Sequence, residues 1–346
     1  MKLRRSHGTG MKSREDSLTT FLWRLPVALY LLLANSSFGG DSSSQPYRLA
    51  LLGIGKPEVM LPQVRGLNDG LEEAGYVNGK NIAIHHLQNE SVDELRERLK
   101  QLVRQGVDVI VAPSAGETAI AQQTTKVIPI VFAPSVDPVR MAFVKSRSRP
   151  DANLTGLSFT RDVQDNSKQL AVLKQIVPTM RRVTMFYDRR PTYEPSVEVR
   201  ASIERVARRL GIELTAAGVV SSADAVRALE QMPKGATDGV FVICTALFRG
   251  MKPLAFAAAH KGVPLFGCTT SQVADEGATM TYTPDLYLIG YRGAWYVDRI
   301  LKGAKPEQLP VETPSKLELI ISLKNARSIG LKIPPEQLIL ADKVFQ

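Results

Sequence analysis

Small polar residues, aspartates and a few aromatic residues repeatedly follow the apolar runs of this sequence. In the stretch 127–159, for example, an apolar run over 128–132 ends in Ala-Pro-Ser-Val-Asp-Pro, and a second β-like run follows at 154–159. Hydroxyl groups and the N–H groups of helix N-termini suit a carboxylate, whereas an aspartate suits an ammonium group. Helix N-termini near 115 and 270 and the aspartates together predict a binding site for a small polar solute. The candidate ligand-binding residues are Gly55, Ser114, Thr118, Ser135, Asp137, Asp188, Tyr193, Thr245, Phe248, Thr269 and Asp285.

Most of these residues also have a local structural explanation. Ser114 and Glu117 have the spacing of a helix capping box, and Asp137 before a proline is a favourable N-cap. Thr269 is a natural helix cap, and Gly55 suits a tight turn. The prediction of a ligand site therefore depends on the whole set rather than on any one residue.

Signature motifs of common enzymes are missing from the sequence. It contains no G-x-x-x-x-G-K-[ST], no H-E-x-x-H and no G-x-S-x-G, and Gly53-Ile54-Gly55 lacks the third glycine of a dinucleotide-binding loop. None of the four histidines has a companion at the spacing of a metal site or a catalytic triad. We therefore expect no catalytic residues, no bound metal and no cofactor, and we expect that the protein is not an enzyme.

Apolar runs of strand length alternate along the chain with segments of helix length, which predicts βαβ units and parallel sheets. The first set of predicted strands ends with 154–158, and the pattern restarts with a helix at 163–176 and a strand at 182–187. Later in this second set, one helix is expected over 247–260. Two sets of about five strands predict an α/β fold with two doubly wound parallel-sheet lobes. Because the loops at the carboxyl ends of parallel strands gather at one edge, the candidate residues should face a cleft between the lobes.

The N-terminal residues have the pattern of a targeting segment. A basic region precedes the apolar stretch 25–34 and the small residues Ala34-Asn35-Ser36, which predicts a signal peptide over 1–36 and a polar linker over 37–46. An uncleaved membrane anchor is the alternative. We expect an exported, periplasmic protein. Part of the net charge of +10 belongs to this basic N-terminal region, and the basic residues of the remaining chain are dispersed, so no nucleic-acid partner is expected.

Cys244 and Cys268 are the two cysteines of the chain, and each ends a predicted buried strand. In an oxidising compartment they can form a disulfide, but two buried thiols that act as small apolar residues are an equal alternative. The sequence leaves both possibilities open.

Several stretches, spread over the whole chain beyond the signal segment, resemble one protein family. They are I-P-I-V-F at 128–132, D-P-V at 137–139, N-L-T-G at 153–156, G-Y-V-N-G-K-N-I at 75–82, Y-T-P-D at 282–285 and I-L-K-G-A-K-P at 300–306. On these stretches the chain is similar to the exported substrate-binding proteins of bacterial ABC transporters, in the tryptophan/tyrosine-type group.

The resemblance implies a type I periplasmic-binding-protein fold, in which two lobes close on a ligand about a hinge. It implies a first lobe over 47–158 with 284–308, a second lobe over 159–283, and a C-terminal tail over 309–346 that crosses back over the hinge. It also implies a monomer that captures an amino acid or a related small polar solute and delivers it to ABC permease and ATPase subunits. The alternative is a periplasmic ligand-sensing module for a membrane receptor or kinase.

The sequence departs from the family pattern at three places. Asp151-Ala152 stand where two glycines are common, Glu117 replaces a small residue, and the loop 188–195 replaces one that usually contains Asn-Pro. These charged loop residues suggest a charged or larger solute, or contact with a partner, instead of a simple aromatic amino acid.

Overall fold

The computed structural model describes residues 45–54, 61–89, 91–135, 137–159, 165–191, 193–314 and 316–346. These residues form two β-sheets, of five and seven strands, flanked by helices, and nearly all neighbouring strands are parallel. The predicted α/β fold with two parallel-sheet lobes is confirmed. The predicted signal peptide, most of the linker and Gly55 lie outside the described residues. Within the described ranges, no helix is both long and apolar enough to cross a membrane.

The first sheet contains the first predicted set of strands. The strands are β1 (Tyr47–Ile54), β2 (Ile82–Asn89), β3 (Val109–Ala112), β4 (Ile130–Ser135) and β5 (Leu154–Ser158). Their order in the sheet is β2-β1-β3-β4-β5, and all of them are parallel. The helices packed on this sheet are α1 (Leu61–Glu73), α2 (Val92–Arg104), α3 (Ala115–Thr124) and α9 (Leu286–Leu301), the last of which returns from far along the chain.

Both faces of the first sheet are buried. Ala50 and Leu52 of β1 lie in one core cluster with Leu95 of α2, whereas Leu49 and Leu51 lie in another with residues of α1 and α9. A strand that is covered on both faces is apolar along its whole length instead of alternating between polar and apolar residues. This burial explains why the sequence signals these strands as short, continuous apolar runs.

The second sheet takes its strands from the second half of the chain. The strands are β6 (Arg182–Asp188), β7 (Glu213–Val219), β8 (Gly239–Val242), β9 (Leu265–Phe266), β10 (Met280–Thr283), β11 (Glu318–Ser322) and β12 (Lys343–Phe345). Their order is β12-β11-β10-β9-β8-β6-β7, and all neighbouring strands are parallel except β10 and β11, which are antiparallel. The helices are α4 (Asp165–Ile176), α5 (Val197–Arg209), α6 (Ser222–Gln231), α7 (Lys252–His260), α8 (Thr270–Asp275), α10 (Leu323–Ser328) and α11 (Pro335–Leu340).

The single helix predicted over 247–260 is wrong at its start. A 3₁₀ turn, Ala246–Phe248, precedes α7, and Pro253 occupies the first turn of α7. Proline has no N–H group to donate, and it therefore fits the first turn of a new helix better than the interior of a longer one. The interruption leaves Phe248 and Arg249 in a short connection at the end of β8.

Three segments connect the two sheets: one after β5, one between β10 and α9, and one before β11. In the third, the backbone of Glu312 bonds to the first lobe, because it accepts from Ser158 N at 2.8 Å and donates to Gly156 O at 3.1 Å. Arg292 of α9 donates two hydrogen bonds, at 2.8 and 2.6 Å, to the Glu312 carboxylate. These bonds lower the pKa of the Glu312 carboxyl. The C-terminal tail thus contacts the first lobe and then adds two strands to the second sheet.

Cys244 and Cys268 form a disulfide, so the structure selects one of the two possibilities that the sequence leaves open. Their Cα atoms are 5.6 Å apart, and 24 positions separate them in sequence. The bond joins the loop after β8 to the loop after β9.

Helices α1 and α9 pack so closely that the backbone of one contacts the backbone of the other. A Cβ atom on Gly290 would lie 2.0 Å from the carbonyl oxygen of Gln63, and one on Gly66 would lie 2.0 Å from the carbonyl oxygen of Tyr287. Only a residue without a side chain fits at either position. The crossing therefore fixes the start of α1, and with it Gln63, against α9.

Substituting Gly290 by alanine should destabilise the protein by about 1–3 kcal/mol, because the added methyl group forces two packed helices apart. Urea unfolding followed by circular dichroism measures the change. Gly293→Ala on the same helix is the matched control, since a Cβ atom there meets its nearest neighbour at 3.5 Å, an ordinary contact. Equal stability of the two variants would contradict the close crossing.

Reducing the disulfide should lower the free energy of unfolding by about 3 kcal/mol, because the crosslink restricts the unfolded chain over a loop of this length. Urea unfolding with and without a reductant measures the difference. The double variant Cys244→Ala, Cys268→Ala should be insensitive to the reductant. Two titratable thiols in the unfolded, unreduced wild-type protein would show that the bond does not form.

Candidate functional site

A cavity of about 120 Å³ lies where the carboxyl ends of the two sheets face each other. Loops that follow strands of both sheets line it, as the parallel architecture predicts. The largely apolar part of the lining includes Pro113, Ala115, Pro134, Phe159, Phe248 and Leu286. The side chains with hydrogen-bonding groups are Gln63, Ser114, Tyr193, Thr245, Arg249, Thr269 and Gln272.

Five of the predicted site residues line this cavity: Ser114, Tyr193, Thr245, Phe248 and Thr269. Three of them are also helix caps, because Ser114, Thr245 and Thr269 each accept a hydrogen bond from a backbone N–H of the following turn. The capping explanation and the ligand explanation are therefore compatible. A residue that caps the helix after a parallel strand lies at the carboxyl edge of the sheet, and this edge faces the cleft.

The first-lobe wall is the N-terminus of α3. The Ser114 hydroxyl accepts from Gly116 N at 3.2 Å and donates to the Glu117 carboxylate. Thr118 is fully buried, and its hydroxyl donates to Ser114 O at 2.6 Å, so it supports this turn without lining the cavity. Ser135 pairs with Ser158 through the backbone at the end of β4.

The second-lobe wall is fixed by Gln272. Its side-chain oxygen accepts from Cys268 N at 2.7 Å and from Thr269 N at 3.2 Å. Its side-chain nitrogen donates to Phe248 O at 2.7 Å and to Arg249 O at 3.2 Å. One buried amide therefore connects the loop after β9 to the loop after β8, and the disulfide connects the same two loops.

An ion pair crosses the cleft. Nη2 of Arg249, from the second lobe, lies 3.2 and 3.3 Å from the two carboxylate oxygens of Glu117, from the first lobe. The Glu117 side chain is 1% exposed and the Arg249 side chain 23%. At the rim, Nη1 of Arg140 donates to the backbone oxygen of Glu194 at 2.9 Å, which is a second contact between the lobes.

Tyr193 extends from the second lobe to the first. It packs against the first-lobe core cluster that contains Phe132, and its hydroxyl lies near Gly116. The Arg190 guanidinium lies 4.8 Å from the centre of its ring. Burial raises the pKa of Tyr193, so the phenol is neutral and keeps its proton to donate.

Asp188 lies inside the second lobe and forms hydrogen bonds there. It is fully buried, and its carboxylate accepts hydrogen bonds from Nε and Nη2 of Arg190 at 2.9 and 2.6 Å and from Thr245 Oγ1 at 3.2 Å. It does not line the cavity. Its carboxylate orients Thr245, which does.

Asp137 and Asp285 also have local partners. Asp137 accepts from Arg140 N at 3.1 Å, and Asp285 is the N-cap of α9 and accepts from Tyr287 N at 2.7 Å. Neither lines the cavity. The sequence offered these residues and Asp188 as partners for an ammonium group, but the structure engages all three carboxylates in turns, caps or an ion pair.

Several lining residues are not among the residues predicted from the sequence, and they include Gln63, Phe159, Arg249, Gln272 and Leu286. Arg249 and Gln272 have a sequence signal, because they closely follow the predicted residues Phe248 and Thr269. Gln63 has no such signal, because a glutamine in the first turn of an amphipathic helix usually faces solvent.

No group of three or more His, Cys, Asp or Glu side chains in the described ranges is arranged to hold a metal ion. The cavity lining offers hydroxyls, amides, rings and one guanidinium, which are groups that bind a small organic molecule.

Comparisons with known proteins point to one family. The model of the ABC transporter substrate binding protein family matches residues 53–345 of this chain. A tyrosine-binding protein from Clostridioides difficile (strain R20291) is 25% identical over 272 residues, which are 78% of this chain and 76% of that protein.

Solved structures share the fold. A conserved domain protein from Vibrio cholerae is 27% identical and superposes with a TM-score of 0.78, over 87% of this chain and 100% of that one. An ABC domain from Streptococcus pneumoniae in complex with L-Trp is 22% identical, with the same TM-score of 0.78 and the same coverage. The match over nearly the whole described chain decides the assignment: this protein belongs to the ABC transporter substrate binding protein family.

Proposed function

We propose that this protein is the solute-binding component of an ABC importer, which captures a small molecule between its lobes and delivers it to permease and ATPase subunits in the membrane. One observation carries the proposal: loops from the carboxyl ends of both sheets line a single cavity, so neither lobe forms the site alone. Membership of the family supports binding without chemistry on the ligand.

The lining favours an amino acid or a related small solute with an aromatic or other apolar part. Phe159, Tyr193 and Phe248 offer ring surfaces, and Ser114, Thr245 and Thr269 offer hydroxyl groups. A relative is called a tyrosine-binding protein, and a structure of the same fold holds L-Trp, which supports the same class of ligand here.

Closure about a hinge would bury the ligand. We propose that 47–158 with 284–308 and 159–283 move as two lobes, with hinge strands near 154–159 and 282–285 and the tail 309–346 crossing between them. The contacts between Glu117 and Arg249 and between Arg140 and Glu194 would form on closure. Any ligand that binds the closed form better than the open form shifts the equilibrium toward closure.

We propose further that the protein is exported to the periplasm as a monomer, through the signal segment 1–36. The Cys244–Cys268 disulfide supports this location, since disulfides persist in oxidising compartments.

Binding of L-tyrosine or L-tryptophan should raise the melting temperature of the purified protein. Ligand at about 100 times its Kd stabilises the folded state by about 2.7 kcal/mol. Differential scanning fluorimetry across amino acids, nucleosides and small organic acids, followed by calorimetric titration, measures this effect. Shifts confined to nucleotides or metal ions, or no shift with any of these compounds, would contradict the proposal.

Replacing Arg249 by alanine should weaken ligand binding by about tenfold or more while changing the free energy of unfolding little. In the closed form the variant leaves the Glu117 carboxylate buried without this partner, whereas opening lets water hydrate it, so the closed form loses stability relative to the open form. Calorimetric titration with L-tryptophan and small-angle X-ray scattering of the ligand-free protein measure the two consequences.

Glu117→Gln should have a similar effect on binding, since it keeps the size of the side chain and removes its charge. Arg182→Ala is the control, because the Arg182–Asp238 pair, at 2.7 Å, lies within the second lobe. Unchanged affinity in both cleft variants would show that the ion pair does not stabilise closure.

A further inference from the structure

A buried ion pair lies at the carboxyl end of β6. Asp188, the last residue of β6, is fully buried, and Nε and Nη2 of Arg190 donate to its two carboxylate oxygens at 2.9 and 2.6 Å. Two parallel hydrogen bonds of this kind fix the plane of the guanidinium as well as its position. Neither residue is among the described residues that line the cavity.

Arg190 holds Tyr193 through both its side chain and its backbone. The guanidinium carbon lies 4.8 Å from the centre of the Tyr193 ring, within the range of a cation–π contact. The backbone oxygen of Arg190 accepts from the backbone nitrogens of Tyr193 at 2.8 Å and Glu194 at 2.9 Å. The guanidinium that Asp188 fixes is therefore a surface against which the Tyr193 ring packs.

The ion pair contacts lining residues of two separate loops. Tyr193, in the loop after β6, lines the cavity and packs against the first-lobe core cluster that contains Phe132. Thr245, which follows β8, also lines the cavity, and its hydroxyl donates to the Asp188 carboxylate at 3.2 Å. Arg190 thus acts on one lining residue and Asp188 on the other.

Two simpler roles explain the pair less well. Its two charges cancel, so the pair does not attract a charged solute as an isolated charge would. The desolvation of two charges offsets much of their mutual attraction, which makes a buried ion pair weak evidence for a role in stability alone. A role in positioning requires only that the pair has one geometry, and two parallel hydrogen bonds provide it.

We propose that Asp188 and Arg190 are positioning residues for ligand binding: the pair holds Tyr193 and Thr245 in the geometry that the ligand meets in the cavity. This inference rests on the proposed function, because it concerns the same cavity. It assigns to the charged loop after β6 the orientation of two uncharged lining residues, without contact between the pair and the ligand.

Calorimetric titration of the double variant Asp188→Asn, Arg190→Gln with L-tryptophan and L-tyrosine tests the inference. The variant keeps the net charge of the protein, and the amide oxygen at position 188 can still accept from Thr245, so the main loss is the guanidinium beside the Tyr193 ring. The Kd should rise about threefold to tenfold, as expected for one cation–π contact. Urea unfolding should show little change in the free energy of unfolding, since a buried ion pair contributes little net stability.

The double variant Arg182→Gln, Asp238→Asn is the matched control. Arg182 begins β6, and its Nη2 lies 2.7 Å from Oδ1 of Asp238, so this pair lies at the opposite end of the same strand. Neither residue is among the described residues that line the cavity. The Kd of the control variant should equal that of the wild-type protein.

Tyr193→Leu separates a positioning role from a general structural one. If the pair acts through the Tyr193 ring, adding Asp188→Asn and Arg190→Gln to this variant should raise the Kd by less than about twofold, because the ring is already absent. Arg190→Lys keeps a positive charge beside Asp188 without the planar guanidinium, so its Kd should be intermediate. If the double variant does not fold, Arg190→Lys replaces it, with and without Tyr193→Leu.

The outcomes separate this inference from the proposed function. Unchanged affinity in the Asp188 and Arg190 variant overturns the inference and leaves the proposed function in place, as does equal weakening in the control or an equal loss with and without the Tyr193 ring. If the wild-type protein binds neither amino acid, the aromatic ligand class and this inference fail together. Weakening that is confined to the Asp188 and Arg190 variant, and that requires the Tyr193 ring, supports the inference.

Discussion

The backbone contact between α1 and α9 is the constraint on which the candidate site depends most. α9 follows the strands 182–283 of the second sheet in sequence, yet it packs on the first sheet and meets α1 without room for side chains at Gly66 and Gly290. The first lobe is therefore complete only after the chain has passed through the second lobe and returned. Because Leu286, in the first turn of α9, lines the cavity, the same helix that completes the first-lobe core also forms part of the cleft.

The second-lobe wall is organised differently, by crosslinks between neighbouring loops. Gln272 bonds to four backbone groups and the disulfide joins the same two loops, so Thr245, Phe248 and Thr269 have little freedom relative to one another. A surface whose groups are fixed in advance loses less conformational entropy when a ligand binds. On the first lobe, the turn that begins α3 has the corresponding role, with Ser114 fixed by its bonds to Gly116 and Glu117.

Local patterns predicted the two sheets, and about half of the predicted site residues line the cavity, because buried parallel strands are continuous apolar runs and helix caps mark where they end. Side-chain direction was not predictable in this way. Asp188 is buried in the second lobe, where Thr245 donates to its carboxylate, and the Gln63 amide donates to the backbone of Ala133, so partners distant in sequence contribute to both orientations. The pairing of 318–322 and the short strand 343–345 with the second sheet likewise depends on long-range contacts.

Glu117 and Asp188, which stand at positions where this sequence departs from the family pattern, each form an ion pair in the structure. Glu117 pairs with Arg249 across the cleft, and Asp188 pairs with Arg190 beneath it, so these four side chains together contribute no net charge. A solute with a net charge would therefore meet a site whose charges are already engaged, and it would have to compete with an existing partner. The suggestion from the sequence that the charged loops favour a charged or larger solute, or contact with a partner, stays a prediction. The Glu117–Arg249 pair connects the two lobes, and the Asp188–Arg190 pair fixes the start of the loop 188–195, so a solute that avoids this competition would use the rings, hydroxyls and amides of the lining.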